Sequence, residues 1–156
     1  MSSNPQSLNL NQGLTYAPDF SAVDIVTGET ISLNNFRKSI VILNFVNYGC
    51  NSRTNEIVST QLMNIKSLEG QLDDFTTISV FCGCCPVDTL RDFAIENGLS
   101  WPWILDSDNS IIQKYTNYVR EYGYPTLVFI SKDQYIFEYG GYYDTSALAT
   151  TINEML

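Results

Sequence analysis

Two short apolar segments, each followed by a cysteine and a stretch of helical character, most constrain the fold of this chain. Ile40 to Val46 (IVILNFV) is almost continuously apolar and rich in β-branched side chains, and Thr76 to Phe81 (TTISVF) has a similar character. Such runs are typical of strands buried on both faces of a parallel sheet. Between them, apolar residues recur at near-helical spacing from Asn51 to Leu68, which predicts a long helix. The order strand, helix, strand therefore predicts an α/β fold.

The rest of the sequence extends this alternation. Phe20 to Val26, a turn at Thr27-Gly28-Glu29, and Thr30 to Leu33 predict an N-terminal β-hairpin. The other predicted elements are a helix opening at Cys85-Pro86 and ending at Gly98, a strand at Trp103–Leu105, a helix at Ser110–Thr116, an antiparallel pair at Thr126–Ile130 and Tyr135–Tyr139, and a helix at Thr145–Met155. We expect one α/β domain over residues 16–156, with a central mixed β-sheet and helices on both faces. The polar, unpatterned residues 1–15 are expected to form a flexible arm.

Composition and charge exclude several classes of function. The 156 residues include 8 basic and 17 acidic side chains, a net charge of −9, which disfavours binding to nucleic acid or to an anionic membrane surface. No segment reaches the roughly 20 apolar residues of a membrane span, and Met1 to Gln12 does not read as a secretory signal, so we expect a cytoplasmic protein. The chain has no histidine, which excludes Ser-His-Asp and Cys-His catalytic pairs and imidazole metal ligands.

Cys50 lies between the first buried strand and the first long helix. Ligand sites of open α/β sheets gather beyond the carboxyl ends of the strands. The N–H groups and the dipole of a helix N-terminus favour a thiolate, and Arg53, one turn further on, adds a positive charge. The polar residues around Cys50 argue against a cysteine that only packs in the core. We predict that Cys50 is a reactive nucleophile; for Arg53, a solvated helix position near Glu56 is the alternative.

The other cysteines, Cys82, Cys84 and Cys85, lie where the second buried strand gives way to its helix. If the two strands are neighbours in the sheet, this loop faces Cys50 and supplies a thiol within disulfide range. Cys85 is the best activated by its position before Pro86, but spacing does not choose among the three. Two alternatives remain: that these cysteines are structural or incidental, and that their thiolates bind zinc or cuprous copper. We predict no metal and no cofactor.

Several segments resemble the redoxin branch of the thioredoxin superfamily, which includes the TlpA-like thiol-disulfide oxidoreductases and the peroxiredoxins. The segments that carry the resemblance are Ala17-Pro18-Asp19-Phe20, Gly28 to Leu33 (GETISL), Phe36-Arg37-Lys38, Ile42-Leu43-Asn44-Phe45 ahead of Cys50, Gly98 to Asp106 (GLSWPWILD) and Gly123 to Leu127 (GYPTL). The resemblance spans the chain from about Ala17 to the C-terminus. It implies a thioredoxin-like fold.

The resemblance also implies a substrate-binding loop. In this family the proline before the threonine is cis and packs beside the active cysteine, which assigns that role to Pro125. Tyr124 would offer backbone groups to an extended substrate, and Thr126 completes the motif. An X-Pro bond has only a small preference for trans, so a cis form costs little. Tyr124, Pro125 and Thr126 are therefore the expected substrate-binding residues.

Two departures from the family pattern bear on the reaction. TlpA-like proteins carry Cys-x-x-Cys, whereas this chain has Cys50-Asn51-Ser52-Arg53, which excludes dithiol exchange within that motif. Peroxiredoxins carry Pro-x-x-x-Thr-x-x-Cys, whereas Leu43 and Asn47 occupy the proline and threonine positions here. The hydroxyl that orients a peroxide is therefore missing.

Three functions follow from these residues. The favoured one is a thiol-disulfide oxidoreductase: Cys50 attacks a protein or small-molecule disulfide, a thiol from the Cys82–Cys85 loop resolves the mixed disulfide, and a thiol reductant restores the enzyme. The second is a peroxiredoxin-like peroxidase with Cys50 as the peroxidatic thiol. The third is a non-enzymatic redox sensor or binding module that presents its acidic, tyrosine-rich surface to a partner.

Overall fold

A computed structural model describes residues 14–49, 52–69, 71–72 and 75–156 of the chain, and of residues 52–54 only the backbone. The strands are β1 (Ser21–Val23), β2 (Thr30–Ser32), β3 (Ile40–Val46), β4 (Phe75–Cys82), β5 (Trp103–Asp106), β6 (Thr126–Ile130) and β7 (Ile136–Gly140). The helices are α1 (Ser52–Glu69), α2 (Val87–Glu96), α3 (Ser110–Lys114), α4 (Thr116–Tyr122) and α5 (Thr145–Met155), with a 3-10 turn at Leu33–Phe36.

A five-stranded mixed sheet in the order β5-β4-β3-β6-β7 forms the centre of the fold. β3 pairs in parallel with β4, and β4 with β5, whereas the β3–β6 and β6–β7 pairs are antiparallel. β1 and β2 form a separate antiparallel hairpin. Every residue of β3 is buried, which explains its continuous apolar sequence. The mixed sheet and the N-terminal hairpin confirm the fold class predicted from the sequence.

Helices cover both faces of this sheet. Side chains of a strand point alternately to its two faces, so Ile40 and Ile42 enter one core while Val41 and Leu43 enter the other. The first core is closed by α1, α2 and α5, and the second by α3, α4 and the segment before β1. The central strands are therefore shielded from water on both sides.

The structure has one helix more than the sequence pattern predicts in the segment after β5. We expect a single helix at Ser110–Thr116, but α3 ends at Lys114 and a further helix, α4, continues to Tyr122. Tyr115 separates them with φ −114° and ψ 21°, and its hydroxyl donates a hydrogen bond to the carbonyl of Pro18. Because this contact joins segments far apart in the chain, local periodicity does not encode the break.

Smaller differences concern element boundaries. Pro86 is the N-cap of α2 rather than its first residue. The predicted arm at residues 1–15 stays a prediction, because residues 1–13 lie outside the described part of the chain. Thr15 itself accepts a hydrogen bond from the N–H of Ile136 at 2.8 Å. Among the helices described, none combines the length and the hydropathy needed to cross a bilayer.

A substitution of Leu62 in α1 tests how this helix packs on the sheet. Leu62 is fully buried, whereas its neighbour Met63 is 39% exposed. We expect Leu62→Ala to lower the free energy of unfolding by about 2–5 kcal/mol, because it removes buried apolar surface and leaves a cavity. Met63→Ala is the matched control, with an expected change within about 0.5 kcal/mol. Urea unfolding followed by circular dichroism measures both, and equal losses would contradict the orientation of α1.

Candidate redox site

The loops that follow β3 and β4 leave the sheet at the same edge. The two strands run parallel, and Val46 at the end of β3 is the register partner of Phe81 near the end of β4. The β3–α1 loop carries Cys50, and the β4–α2 loop carries the other cysteines. Cys50 lies outside the described residues, so its predicted role is not tested by the geometry. The same holds for the side chain of Arg53.

The backbone just before Cys50 packs against the start of α2. Gly49 has a left-handed φ of 88°, and a Cβ built there would lie only 2.8 Å from Cδ of Pro86. The N–H of Gly49 also donates a hydrogen bond to Oδ1 of Asn55 in α1, at 3.0 Å. The positive φ and the close approach to Pro86 therefore both require glycine at position 49. The residue before Cys50 thus contacts the residue after Cys85.

A tight turn gathers three sulfur atoms at the end of β4. The Sγ atoms of Cys82 and Cys84 lie 3.5 Å apart, those of Cys82 and Cys85 lie 3.7 Å apart, and all three fall within 4.8 Å of one another. The N–H of Cys85 donates to the carbonyl of Cys82 at 3.0 Å, which closes the turn. Cys82 therefore lies in contact with both of the other sulfurs.

Gly83 allows this turn to pack closely against the turn that follows β5. A Cβ on Gly83 would lie 2.6 Å from the carbonyl oxygen of Ser107, a distance that real side chains do not tolerate. Its N–H donates to Oδ1 of Asn109, which itself adopts a left-handed φ of 58°. The sulfur cluster is therefore anchored to the turn between β5 and α3.

The three cysteines differ in exposure and oxidation state. Cys84 is exposed to solvent and is disulfide-bonded. Cys82 and Cys85 are 8% and 4% exposed and carry thiols. An external reactant therefore reaches Cys84 before it reaches the other two sulfurs.

Hydrogen bonds stabilise the thiolate of Cys85. The Cys82 thiol donates toward Cys85 Sγ, and the N–H of Tyr48 donates to the same sulfur at 3.3 Å. These two donors lower the pKa of Cys85 to about 7, against the opposing effect of burial. The same sulfur–sulfur hydrogen bond, together with burial, raises the pKa of Cys82. Above about pH 7 the pair therefore holds one proton, which Cys82 carries.

The loop before β6 lies beside this cluster. The peptide bond between Tyr124 and Pro125 is cis, as the resemblance implies. Burial raises the pKa of the half-buried Tyr124. Its side chain packs against the core that contains Cys82 and Cys85. Thr126 is fully buried and its hydroxyl donates to the carbonyl of Gly123, so its side chain fixes the loop. Substrate binding by these three residues stays a prediction.

Sequence reasoning overlooked a pairing within the second loop. Cys82 and Cys85 are separated by two residues, so Cys82-Gly83-Cys84-Cys85 itself contains the Cys-x-x-Cys spacing. That spacing was the signal by which the close pair of buried thiols could have been found.

Three sulfurs this close could also hold a soft metal ion. With Cys84 reduced, thiolates of Cys82, Cys84 and Cys85 would offer the ligands that cuprous copper and zinc prefer. The disulfide of Cys84 removes one of these ligands in the oxidised state described here. The prediction that the protein needs no metal therefore stays a prediction.

The comparisons with known proteins agree with this fold. A family model, the AhpC/TSA family, matches residues 15–138. A thiol:disulfide interchange protein of the thioredoxin family from Chlorobium tepidum TLS is 16% identical with a TM-score of 0.73, over 91% of this chain and 96% of that chain. A DsbF homologue from Corynebacterium diphtheriae is 15% identical with a TM-score of 0.74, over 92% and 88%. The thioredoxin domain of a thiol-disulfide oxidoreductase from Bacteroides vulgatus is 19% identical with a TM-score of 0.67, over 90% and 94%. No curated protein matches this chain significantly.

The pH dependence of Cys85 alkylation tests the hydrogen bond from Cys82. In the reduced protein we expect Cys85 to react with iodoacetamide with a midpoint near pH 7, because its pKa is lowered to about 7 and the thiolate prevails above that pH. Cys82→Ala removes a donor and should move the midpoint upward, toward the free-thiol value of about 8.5. Mass spectrometry that localises the label on each cysteine provides the measurement. A midpoint that does not move on substitution would contradict the role given to Cys82.

Proposed function

Because the chain belongs to the AhpC/TSA family, we propose that it is a thiol-disulfide oxidoreductase in which Cys50 is the nucleophile and Cys84 the resolving thiol. The observation that carries the proposal is the state of Cys84, which is exposed and disulfide-bonded beside a pair of buried thiols. Cys82 and Cys85 carry thiols, and we propose that the oxidised enzyme forms its catalytic disulfide between Cys84 and Cys50.

The backbone around the two loops supports this pairing. The register of β3 and β4 brings both loops to one edge, and Gly49 packs against Pro86. The residues next to Cys50 and next to Cys85 are therefore in van der Waals contact. Cα atoms about 4.4–6.8 Å apart are what a disulfide requires, and such loop packing is compatible with that separation.

The reaction would proceed by two exchanges. The Cys50 thiolate attacks one sulfur of a substrate disulfide, forms a mixed disulfide and releases the first substrate thiolate, which takes up a proton. Cys84 then attacks Cys50 Sγ, forms the Cys50–Cys84 disulfide and releases the second substrate thiol. The substrate gains two electrons and two protons, and the enzyme loses them. A thiol reductant reverses the change in the enzyme and completes the cycle.

Several features favour Cys50 as the attacking group. The backbone of α1 begins at Ser52, two positions after Cys50 in the sequence, and the N-terminus of this 18-residue helix carries the positive end of its dipole. That position lowers the pKa of a thiol and favours the nucleophilic form. Tyr124 packs against the core that contains Cys82 and Cys85, and the cis Pro125 follows it. This loop would hold an extended segment of a disulfide substrate.

Substitutions of the two cysteines should give different defects. We expect Cys50→Ser to abolish disulfide reduction and to form no adduct, because the attacking sulfur is gone. Cys84→Ser should also stop turnover but accumulate a mixed disulfide between Cys50 and the substrate, because resolution fails. Insulin reduction by dithiothreitol and peptide mapping of trapped adducts measure these outcomes. Met63→Ala, on the exposed side of α1, is the control and should retain full activity.

Two results would overturn the proposal. One is full insulin reduction by Cys50→Ser, which would assign the attack to another cysteine of the chain. The other is a Cys84 disulfide that runs between two chains, seen as a dimer on a non-reducing gel. Peptide mapping of the oxidised protein decides this second point directly.

Peroxide chemistry provides a separate prediction. Position 47, which carries the threonine hydroxyl in the peroxidase pattern, is an asparagine, and the proline position is the fully buried Leu43. We expect Cys50 to react with hydrogen peroxide no faster than free cysteine. Stopped-flow measurement of thiol loss tests this, and a rate well above that of free cysteine would favour the peroxidase function instead.

A further inference from the structure

We propose that a groove remote from the cysteines binds a small polyanion that carries a planar ring, of the chemical class of a nucleoside diphosphate. Its lining includes Tyr16, Arg37, Lys38, Lys132 and Tyr135, and we call it the basic groove. It lies where β3 begins and β6 ends, whereas the cysteine-bearing loops follow the carboxyl ends of β3 and β4. The proposal therefore does not depend on the redox reaction.

The basic groove concentrates positive charge in an acidic chain. The sequence has 17 acidic and 8 basic side chains, and three of the eight basic ones line this groove. Among the residues that the structure describes, the single ion pair joins Arg91 to Asp88, so the three cations of the groove have no carboxylate partner. Within the described lining, Asp133 is the one acidic side chain. The groove therefore offers positive charge that an anionic ligand can neutralise.

Backbone hydrogen bonds hold the segments of the groove together. The N–H of Lys38 donates to the carbonyl of Lys132 at 3.0 Å, and the N–H of Ala17 donates to the carbonyl of Gln134 at 2.8 Å. Gln134 is buried, and its Nε2 donates to the carbonyl of Leu33 at 3.0 Å. Since three distant parts of the chain are joined in this way, the cations are brought together before any ligand binds. A site organised in advance loses less entropy on binding.

The backbone of the lining has an uncommon conformation. Lys38 and Gln134 have left-handed φ values of 74° and 70°, which residues other than glycine rarely adopt. In the described part of the chain, the one other residue of this kind is Asn109. Such conformations cluster where the surrounding structure enforces them to shape a ligand site. Two of the three lying in one groove therefore supports a binding role.

Two stacked tyrosines form an aromatic wall of the groove. The rings of Tyr16 and Tyr135 have centroids 4.2 Å apart and an interplanar angle of 26°, and their hydroxyls are hydrogen-bonded. Tyr16 is 66% exposed, so its ring retains surface on which a planar group can stack. The cavity has a volume of about 990 Å³, enough for a small molecule. Cations beside an aromatic wall therefore match a ligand with phosphate groups and a planar ring.

Isothermal titration of the 156-residue protein tests the proposal with adenosine diphosphate, inorganic pyrophosphate and adenosine as probes. We expect adenosine diphosphate to bind at a single site, pyrophosphate to bind more weakly because it lacks the ring, and adenosine to give no measurable heat. Raising the NaCl concentration from about 50 mM to about 500 mM should weaken the binding of adenosine diphosphate several-fold, because salt screens charges. The absence of saturable binding of adenosine diphosphate at low salt would overturn the proposal.

A matched pair of variants separates the groove from the overall charge of the protein. Lys132→Ala and Arg120→Ala each remove one positive charge from an exposed position, but Arg120 lies in α4, outside the lining. We expect Lys132→Ala to weaken the binding of adenosine diphosphate about tenfold, because a charge-assisted contact is lost, and Arg120→Ala to leave it within about twofold. Equal losses in the two variants would show that the groove is not the site.

Tyr16→Ala tests the aromatic wall. We expect it to weaken the binding of adenosine diphosphate several-fold while pyrophosphate binds as before, because the lost ring contacts the planar group only. Equal weakening for both probes would contradict the stacking role of Tyr16.

This proposal and the redox function fail separately. Insulin reduction by Lys132→Ala and by Tyr16→Ala should equal that of the wild type, since neither residue belongs to the redox site. Insulin reduction without binding of adenosine diphosphate would reject the basic groove as a ligand site, and binding without insulin reduction would reject the redox function.

Discussion

The parallel pairing of β3 with β4 is the interaction on which the site depends. Their register runs from Ile40 opposite Phe75 to Val46 opposite Phe81, with side chains buried on both faces. A shift of one residue would turn every side chain to the opposite core, so burial on two sides fixes the register strongly. That register determines where the two cysteine-bearing loops leave the sheet. Neighbouring strands therefore bring to one edge of the sheet two loops that are about thirty positions apart in the sequence.

The thiol cluster obtains its reactivity from neutral hydrogen-bond donors. The chain has no histidine and a net charge of −9, so cations are scarce. Cys85 is stabilised as a thiolate by a backbone N–H and by a neighbouring thiol, both of which remain donors at every pH near neutrality. Since these partners are fixed by β3 and by the turn after β4, the backbone itself sets the reactivity of this sulfur.

Much of the fold could be predicted from the sequence, because burial on two faces leaves a strong local pattern. The apolar run of β3 and the helical spacing of α1 are examples. The break at Tyr115 was not predictable, since it depends on a hydrogen bond to Pro18 from a distant segment. In the site, spacing left the choice among Cys82, Cys84 and Cys85 open. Exposure separates them, and exposure follows from the tertiary packing of the four-residue segment Cys82–Cys85 rather than from residue type.

The contact between Gly83 and the carbonyl of Ser107 extends the influence of the site beyond its cysteines. Asp106 accepts the N–H groups of Ile111 and Ile112, so the same turn that supports Gly83 also caps the first turn of α3. The spacing of the sulfurs is thus mechanically linked to a helix on the opposite face of the sheet. A substitution in that distant helix can therefore alter the spacing of the sulfurs while every sulfur-bearing residue stays the same.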